Sequence, residues 1–246
     1  MHRFFAPDLD AGDEAVSLPR TEAEHLTRVL RLGPGDMVAV FNGRGDEFLA
    51  RVVSASRRDA RVQLVSRVDA AAEPAVALTL VQAVLKGEKM DDVVRDAVML
   101  GAGAIQPVVT ARTEVTVAAL TRTGRLERWR RIALASVKQS RRAVLPEIRP
   151  PLTFENWLNE PHLDLTLMLV EPSPEGGAAP LASIRDGRVP ADAAVLIGPE
   201  GGWTESERSL AAEAGVQLVT LGHRTLRADA VPVAAISVLQ FIWGDL

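Results

Sequence analysis

Two segments near the C-terminus carry the residues best suited to chemistry. The first, LIGPEGGWTESE (196–207), runs from an apolar stretch into three glycines, a proline and a carboxylate, Glu200. The second, LGHRTLRADAVPVAAISVLQ (221–240), sets Arg224 and Arg227 three residues apart before an apolar run. Glycines let a backbone approach a ligand closely and offer its amides and carbonyls as partners. The first loop lacks the GK[ST] ending of a phosphate loop, and Glu200 would repel a polyphosphate. Its spacing is not that of a dinucleotide fingerprint either. A neutral or cationic adenosine-like ligand suits it better; the plain alternative is a tight strand-to-helix turn. A buried arginine needs a partner, because an unpaired charge costs several kcal/mol. Arg224 and Arg227 therefore pair with Glu200 or Asp229, hold an anionic substrate, or do both.

The elements that position these loops follow from the pattern of apolar residues. From Ala75 onward, VALTLVQAV, AIQPVVT, LDLTLMLVE, AAVLIG and VQLVTLG are short apolar strands. They alternate with helical stretches such as KMDDVVRDAVMLGAG and LERWRRIALASVKQS, the latter with Leu126, Trp129, Ile132, Ala133 and Val137 on one stripe. That alternation predicts an α/β fold with a parallel sheet. In such sheets ligands bind beyond the carboxyl ends of the strands, where LMLVEPSPEGG, VLIGPEGG and LVTLGHRTLRAD all turn into loops. Thr204 and Glu207 form a capping box that starts a helix after the glycines.

Residues 1–70 read differently, as a small β unit with one helix. TEAEHLTRVLRL opens with a second Thr-x-x-Glu box, at Thr21, and puts Leu26, Val29 and Leu30 on one face. Asn42-Gly43-Arg44-Gly45 predicts a hairpin between MVAVF and EFLARVVSA. DAAAEP (69–74) is the expected linker, giving domains at 1–70 and 75–246.

The chain has 246 residues, 47% of them hydrophobic, enough for a large core. No apolar run reaches the roughly 20 residues needed to span a bilayer. The longest, 231–243, is expected in a core or a subunit interface. The N-terminus lacks the apolar segment of a signal peptide, so the expected compartment is the cytoplasm. There is no cysteine, which excludes disulfides and thiol catalysis. His2, His25, His162 and His223 show no metal-ligand spacing, and no metal site is expected. Net charge is −1 over residues 1–70, +5 over 71–150 and −8 over 151–246. The basic excess sits between Arg122 and Arg142, which suits phosphate or marks a solvated helix face.

These motifs, in this order, resemble the RsmE family of ribosomal RNA methyltransferases of the SPOUT superfamily. The resemblance takes in RFF (3–5), HLTRVLRLGPGD, NGRGDEF, LKGEKMDDVVRDAVMLGAGAIQPVVTART and RWRRIALASVKQSRRAVLPEI as well as the two C-terminal loops. It implies an N-terminal PUA-like RNA-binding β-barrel and a C-terminal domain with a trefoil knot. It also implies S-adenosylmethionine as cofactor, and methylation of N3 of a uridine in 16S rRNA, either naked or within the small ribosomal subunit. A homodimer with its active site near the subunit interface is implied too.

Carried over, the cofactor residues are Leu169, Val170, Glu171, Ile197, Gly198, Pro199, Glu200, Gly201, Gly202, Leu221, Gly222, Leu226 and Arg227. Trp203 lies in the same loop. Arg227, then Arg224, are the candidates to stabilise charge on the uracil, and Glu200 or Asp229 are candidate proton acceptors. Arg3, Arg28, Arg31, Lys86, Lys89, Arg112, Gln139, Arg141 and Arg142 are the candidate RNA contacts, Arg28 and Arg31 sharing a helix face. The chain departs from the family at LRADAV (226–231), where relatives usually read LRTETA, and at Lys138, where an acidic residue is frequent. Competing readings are a SPOUT enzyme acting on another rRNA or tRNA position, a non-catalytic RNA-binding assembly protein, and a metabolic nucleotide-cofactor enzyme.

Overall fold

The computed structural model describes residues 1–161, 163–173 and 177–246. His162 and Pro174, Glu175 and Gly176 of the EPSPEGG loop lie outside the described residues. The chain forms two compact units, one made of Met1–Glu73 with Val137–Leu145, the other of Pro74–Ser136 with Pro146–Leu246.

The first unit contains strands β1 (Arg3–Phe5) and β2 (Ala15–Leu18), the short helix α1 (Arg20–Glu24), and strands β3 (Met37–Phe41), β4 (Glu47–Ala55) and β5 (Ala60–Arg67). They make one sheet in the order β1-β3-β4-β5-β2. It is a half-barrel rather than a closed barrel, since β1 and β2 end the order unpaired with each other. The predicted hairpin is present, with Phe41 opposite Glu47. Buried Asn42 builds its turn by accepting from the amides of Arg44 at 2.8 Å and Asp46 at 3.2 Å. Phe4, Leu9, Leu26, Val38, Val40, Phe48, Val52 and Val62 form the core.

The helix that follows β2 corrects the sequence reading. It begins at Arg20 with Pro19 as its N-cap and no side-chain cap, so the Thr21 box is not formed. Residues His25–Val29 then widen into a π-helical turn. Val29 is 68% exposed rather than core. Arg31, in the left-handed region at φ 56°, lies past the helix end and shares no helix face with Arg28.

The second unit contains β6 (Ala77–Ala83), α2 (Lys89–Met99), β7 (Ala104–Val109), α3 (Val117–Arg122), and α4 (Arg125–Ser140), whose last turn belongs to the first unit. After these come β8 (Glu147–Ile148), β9 (Leu152–Thr153), α5 (Phe154–Leu158), β10 (Leu165–Leu169), β11 (Ala179–Pro180), β12 (Asp192–Ile197), α6 (Glu205–Glu213), β13 (Gln217–Thr220) and α7 (Val231–Trp243). The sheet order is β11-β13-β10-β12-β6-β7-β8, with β9 also on β7 and every pair parallel. Its central strands are buried almost throughout, which is why they read as continuous apolar runs. α5 and α6 close one face through Phe154 and Ala211, packed with Val81, Val108, Met168 and Leu196. α7 packs against α2 and β12. Because β10 sits between β12 and β13, the loops after all three strands open at one edge. No helix among the described residues is long and apolar enough to cross a membrane.

Candidate active site

The parallel strands end together, and five loops meet beyond β6, β7, β10, β12 and β13. Strand β12 leads into the GPEGG turn, whose conformation depends on its neighbours. Trp203, buried and tilted against Phe154 at 5.2 Å, donates from Nε1 to the Leu169 carbonyl at 2.9 Å. This bond ties the end of β10 to the glycine loop. A Cβ on Gly198 would stand 3.1 Å from that indole nitrogen, and one on Gly201 would stand 3.2 Å from Arg112. Gly202 has φ +67° and would push a Cβ to 3.2 Å from Glu171. The glycines thus make room for Trp203, Arg112 and Glu171.

The Thr204–Glu207 box forms as predicted. Glu207 also does something no local motif signals. Its Oε2 accepts from the Thr204 amide at 2.8 Å, while Oε1 accepts from the Ala111 amide at 2.8 Å. It thereby anchors the loop after β7, where Arg112 donates to the Gly201 carbonyl.

Glu200 joins the glycine loop to other partners. It accepts from Lys89 Nζ at 2.8 Å and from the Lys86 amide at 3.2 Å. Burial pushes its carboxyl upward, but the hydrogen bonds from Lys89 and from the amides of Glu200 and Lys86 outweigh that and hold it below its ordinary value. A carboxylate so held is a weak base and a firm link between the glycine loop and α2. The Lys86 side chain pairs with Glu114, which raises its pKa.

The loop after β13 is exposed, contrary to the buried arginines expected there. Arg227 pairs with Asp229 through two hydrogen bonds, of 3.1 and 2.7 Å. That pairing lowers the Asp229 pKa and raises that of Arg227.

These loops enclose a cavity of 390 Å³, within the range of small-molecule sites. Ten of the anticipated cofactor residues line it: Leu169, Val170, Glu171, Ile197, Gly198, Pro199, Glu200, Gly202, Leu221 and Leu226. Gly201, Gly222 and Arg227 are not among the lining residues. Arg224, Trp203, Arg112, Glu205, Arg208, Thr225 and Val231 are. Arg112, a candidate RNA contact in the sequence, lies on this cavity wall instead. Its place just past the strand AIQPVVT was the signal that puts it here. Arg208 lies one helical turn after Thr204, on the same side of α6.

The anticipated RNA contacts divide. Arg28, Arg31, Lys86, Gln139 and Arg141 are exposed, and Lys89 is half-buried against Glu200. Arg3 and Arg142 are not surface groups. Arg3 spends its guanidinium on Glu47, on the carbonyls of Val137, Lys138 and Arg142, and on the Phe41 ring at 4.7 Å. Arg142 is 4% exposed and paired with Glu73. Lys138 bonds buried Glu22, which accounts for a cation at that position.

Comparison with known proteins agrees with this architecture. Residues 72–240 match the RNA methyltransferase domain, and residues 18–65 match the RNA methyltransferase PUA domain. The ribosomal RNA small subunit methyltransferase E of Synechocystis is 34% identical over 93% of this chain and 73% of its own length. That of Bacillus subtilis is 26% identical over 92% of this chain and 89% of its own. The Neisseria gonorrhoeae enzyme of the same name, solved bound to S-adenosyl methionine, superposes with a TM-score of 0.87. It is 33% identical, covering 100% of this chain and 99% of that one. A Legionella pneumophila putative methyltransferase, solved with the same cofactor, gives 0.86 at 29% identity, covering 97% and 96%. With the fold, the strand-end cavity and both family matches in agreement, this chain belongs to the ribosomal RNA small subunit methyltransferase E family of RNA methyltransferases.

Proposed function

We propose that this protein methylates N3 of a uridine in 16S rRNA with S-adenosylmethionine held in the strand-end cavity, and that it acts in the cytoplasm as a homodimer. The observation that carries the reading is the convergence of three loops, after β10, β12 and β13, on one cavity of 390 Å³. The lining fits a cationic nucleoside. Glu171 and Glu205 are carboxylates for its positive groups, and the strand-end backbone around Leu169, Ile197 and Leu221 offers partners for adenine.

Bound S-adenosylmethionine would supply an electrophilic methyl group on a sulfonium. The protein's own share is positioning and charge stabilisation. Uracil N3 lies on the Watson–Crick edge, so the base must be unpaired or flipped to reach the site. As the N3 proton leaves, negative charge grows on the uracil oxygens. Arg224, on the cavity wall, is placed to receive it, and Arg227 with its partner Asp229 flanks it. Glu200 serves as a clamp rather than a base, because Lys89 and two amides already occupy it; the proton then passes to water. On α7, Phe241 is 61% exposed beside half-buried Val233, Val238 and Ile242, which favours a second copy of the chain as their cover.

The test has two parts. Titration calorimetry of S-adenosylmethionine into the wild type and into Gly198→Trp is expected to show binding in the first and at least a tenfold loss in the second, which remains folded by thermal scan. Reverse transcription of 16S rRNA treated with enzyme and cofactor is then expected to stop at one uridine, since an N3-methyl group blocks pairing. Binding retained in Gly198→Trp, or no new stop with active cofactor binding, refutes the reading.

A further inference from the structure

The first unit presents a cationic surface that none of the anticipated RNA residues belongs to. The segment RVVSASRRDARVQLVSR (51–67) carries five arginines and a single acid, Asp59. Strands β4 and β5 pair antiparallel through it, with Arg51 opposite Gln63 and Ser54 opposite Arg61. Alternation sorts most of its side chains, with register shifts between Leu49 and Ala50 and between Val52 and Ser54. Ala50, Val52, Ala60 and Val62 point into the core, whereas Arg51, Val53, Arg61, Gln63 and Val65 face out. Arg51 faces Gln63, two residues along β5 from Arg61, which puts the two arginines diagonally across the strand pair.

The turn between the strands adds Arg57 and Arg58. Ser56 fixes that turn, its hydroxyl accepting from the Asp59 amide at 3.1 Å and from the Arg58 amide at 3.3 Å. Both arginines are therefore held at the tip, in solvent. Arg67, the fifth arginine, is already paired with Asp46.

Two features mark this face as a place for a ligand rather than ordinary solvated surface. Among the described residues, Arg51, Arg57, Arg58 and Arg61 make no ion pair and lie together on two paired strands and their turn; Arg28, Arg31 and Arg141 of the same unit are also unpaired but lie outside this hairpin, whereas Arg3, Arg20, Arg44, Arg67 and Arg142 are each matched to a carboxylate. Arg51 makes only a long 3.4 Å bond, to the Gly35 carbonyl. The sheet's outer face is also covered over only part of its width. At the β1–β3 side Ala39 and Phe41 are buried, beneath Arg3 and its carbonyl partners from residues 137–142. At the β4–β5 side it is open, and leaves Val53 and Val65 50% and 55% exposed among the arginines.

We propose that the outer face of β4 and β5, with Arg51, Arg57, Arg58 and Arg61, is a docking surface for the sugar–phosphate backbone of the substrate RNA. The arginines take phosphate oxygens, and the two valines pack against ribose. A contact of this kind sets affinity and register without reading sequence. The assignment rests on the RNA reading of the enzyme and adds a second point of attachment to it.

The experiment compares wild type, Arg57→Glu/Arg58→Glu, Arg57→Lys/Arg58→Lys and Arg51→Ala/Arg61→Ala. It follows anisotropy of a labelled small-subunit rRNA fragment across a salt series, together with steady-state methylation. Each lost phosphate contact is expected to flatten the plot of log affinity against log salt by about 0.7–0.9. At 0.15 M salt, removing two contacts weakens binding roughly ten- to thirtyfold by the same relation. KM for RNA rises accordingly, kcat at saturating RNA stays within twofold, and the Lys pair stays within about threefold of wild type. Calorimetric binding of S-adenosylmethionine is unchanged in every variant, and an unchanged Tm and far-UV circular dichroism spectrum show that the first unit remains folded. RNA affinity and salt slope unaltered in both the Glu and Ala variants overturn the proposal. So does loss of activity confined to assembled subunits with naked-RNA binding intact, since that identifies a ribosomal protein as the occupant. Wild type that binds the cofactor yet methylates no RNA fails the functional reading instead.

Discussion

Replacing Glu207 by glutamine tests how the cofactor loops are held. Its side chain is almost wholly buried, and its two oxygens accept from the Thr204 amide, the Thr204 hydroxyl and the Ala111 amide. Glutamine keeps the shape but has only one acceptor oxygen. Turned to satisfy Thr204, it sets an NH2 group against the Ala111 N–H. One charge-assisted bond is lost and a donor is left facing a donor. A hydrogen bond to a charged group contributes about 1.5–3 kcal/mol, so the net cost is about 2–3 kcal/mol. At about 2–4 °C per kcal/mol for a chain of this size, Tm drops by roughly 4–12 °C. The functional effect follows the same path. Ala111 precedes Arg112, which holds the Gly201 carbonyl, so the loop after β7 loosens and S-adenosylmethionine binds more weakly. Differential scanning calorimetry and titration calorimetry read the two effects. Glu213→Gln, at the exposed end of α6, is the control and shifts Tm by less than 2 °C. A Glu207→Gln shift equally small would refute the reasoning, because it would mean that the carboxylate is no more than a solvated helix residue.

Two further outcomes follow from the electrostatics. Glu200 has a folded-state pKa below its ordinary 4.5; its contribution to stability is therefore present above that pH and lost as pH falls through the lowered value. The Tm difference between wild type and Glu200→Gln is accordingly constant from pH 6 to 8 and shrinks on acidification below about 4.5; a difference that changes between pH 6 and 8 contradicts the clamp. Arg142→Ala leaves half-buried Glu73 without its buried partner, at a cost of about 1.5–3 kcal/mol, yet leaves the salt dependence of RNA binding unchanged; a reduced slope with unchanged Tm would return Arg142 to the RNA surface.

Much of the second unit was legible because a parallel sheet covered on both faces must draw its strands from short apolar runs. The runs at 77–83, 165–169 and 192–197 have no other reading at that length. Helix α7 was legible for the same reason, with Pro232 in its first turn and Gly244 in the left-handed conformation at its end. The cavity was legible as a strand-end rule rather than as contacts. The rule found the loops after β10, β12 and β13, and applied to AIQPVVT it would have found Arg112.

What stayed hidden depends on partners far away in the chain. The Thr-x-x-Glu spacing occurs twice, and only one copy caps a helix. At Thr204 the backbone is extended, at φ −77° and ψ 161°, and the next residue starts the helix. At Thr21 the same spacing is preempted, because Pro19 already holds the N-cap dihedrals, φ −51° and ψ 150°. Glu24 bonds Arg20 instead of reaching back, while buried Glu22 bonds Lys138, 116 residues away. The arginines divide on the same ground. Arg3 and Arg142 look no different in sequence from Arg57 and Arg58, and a run of charges says only that phosphate would be attracted. Burial beside Glu47 and Glu73 makes the first pair structural, and a turn held by Ser56 leaves the second pair in water. The distinction is one of carboxylate supply: where the fold brings an acid to an arginine the charge is spent on the protein, and where it brings none the charge remains for a ligand.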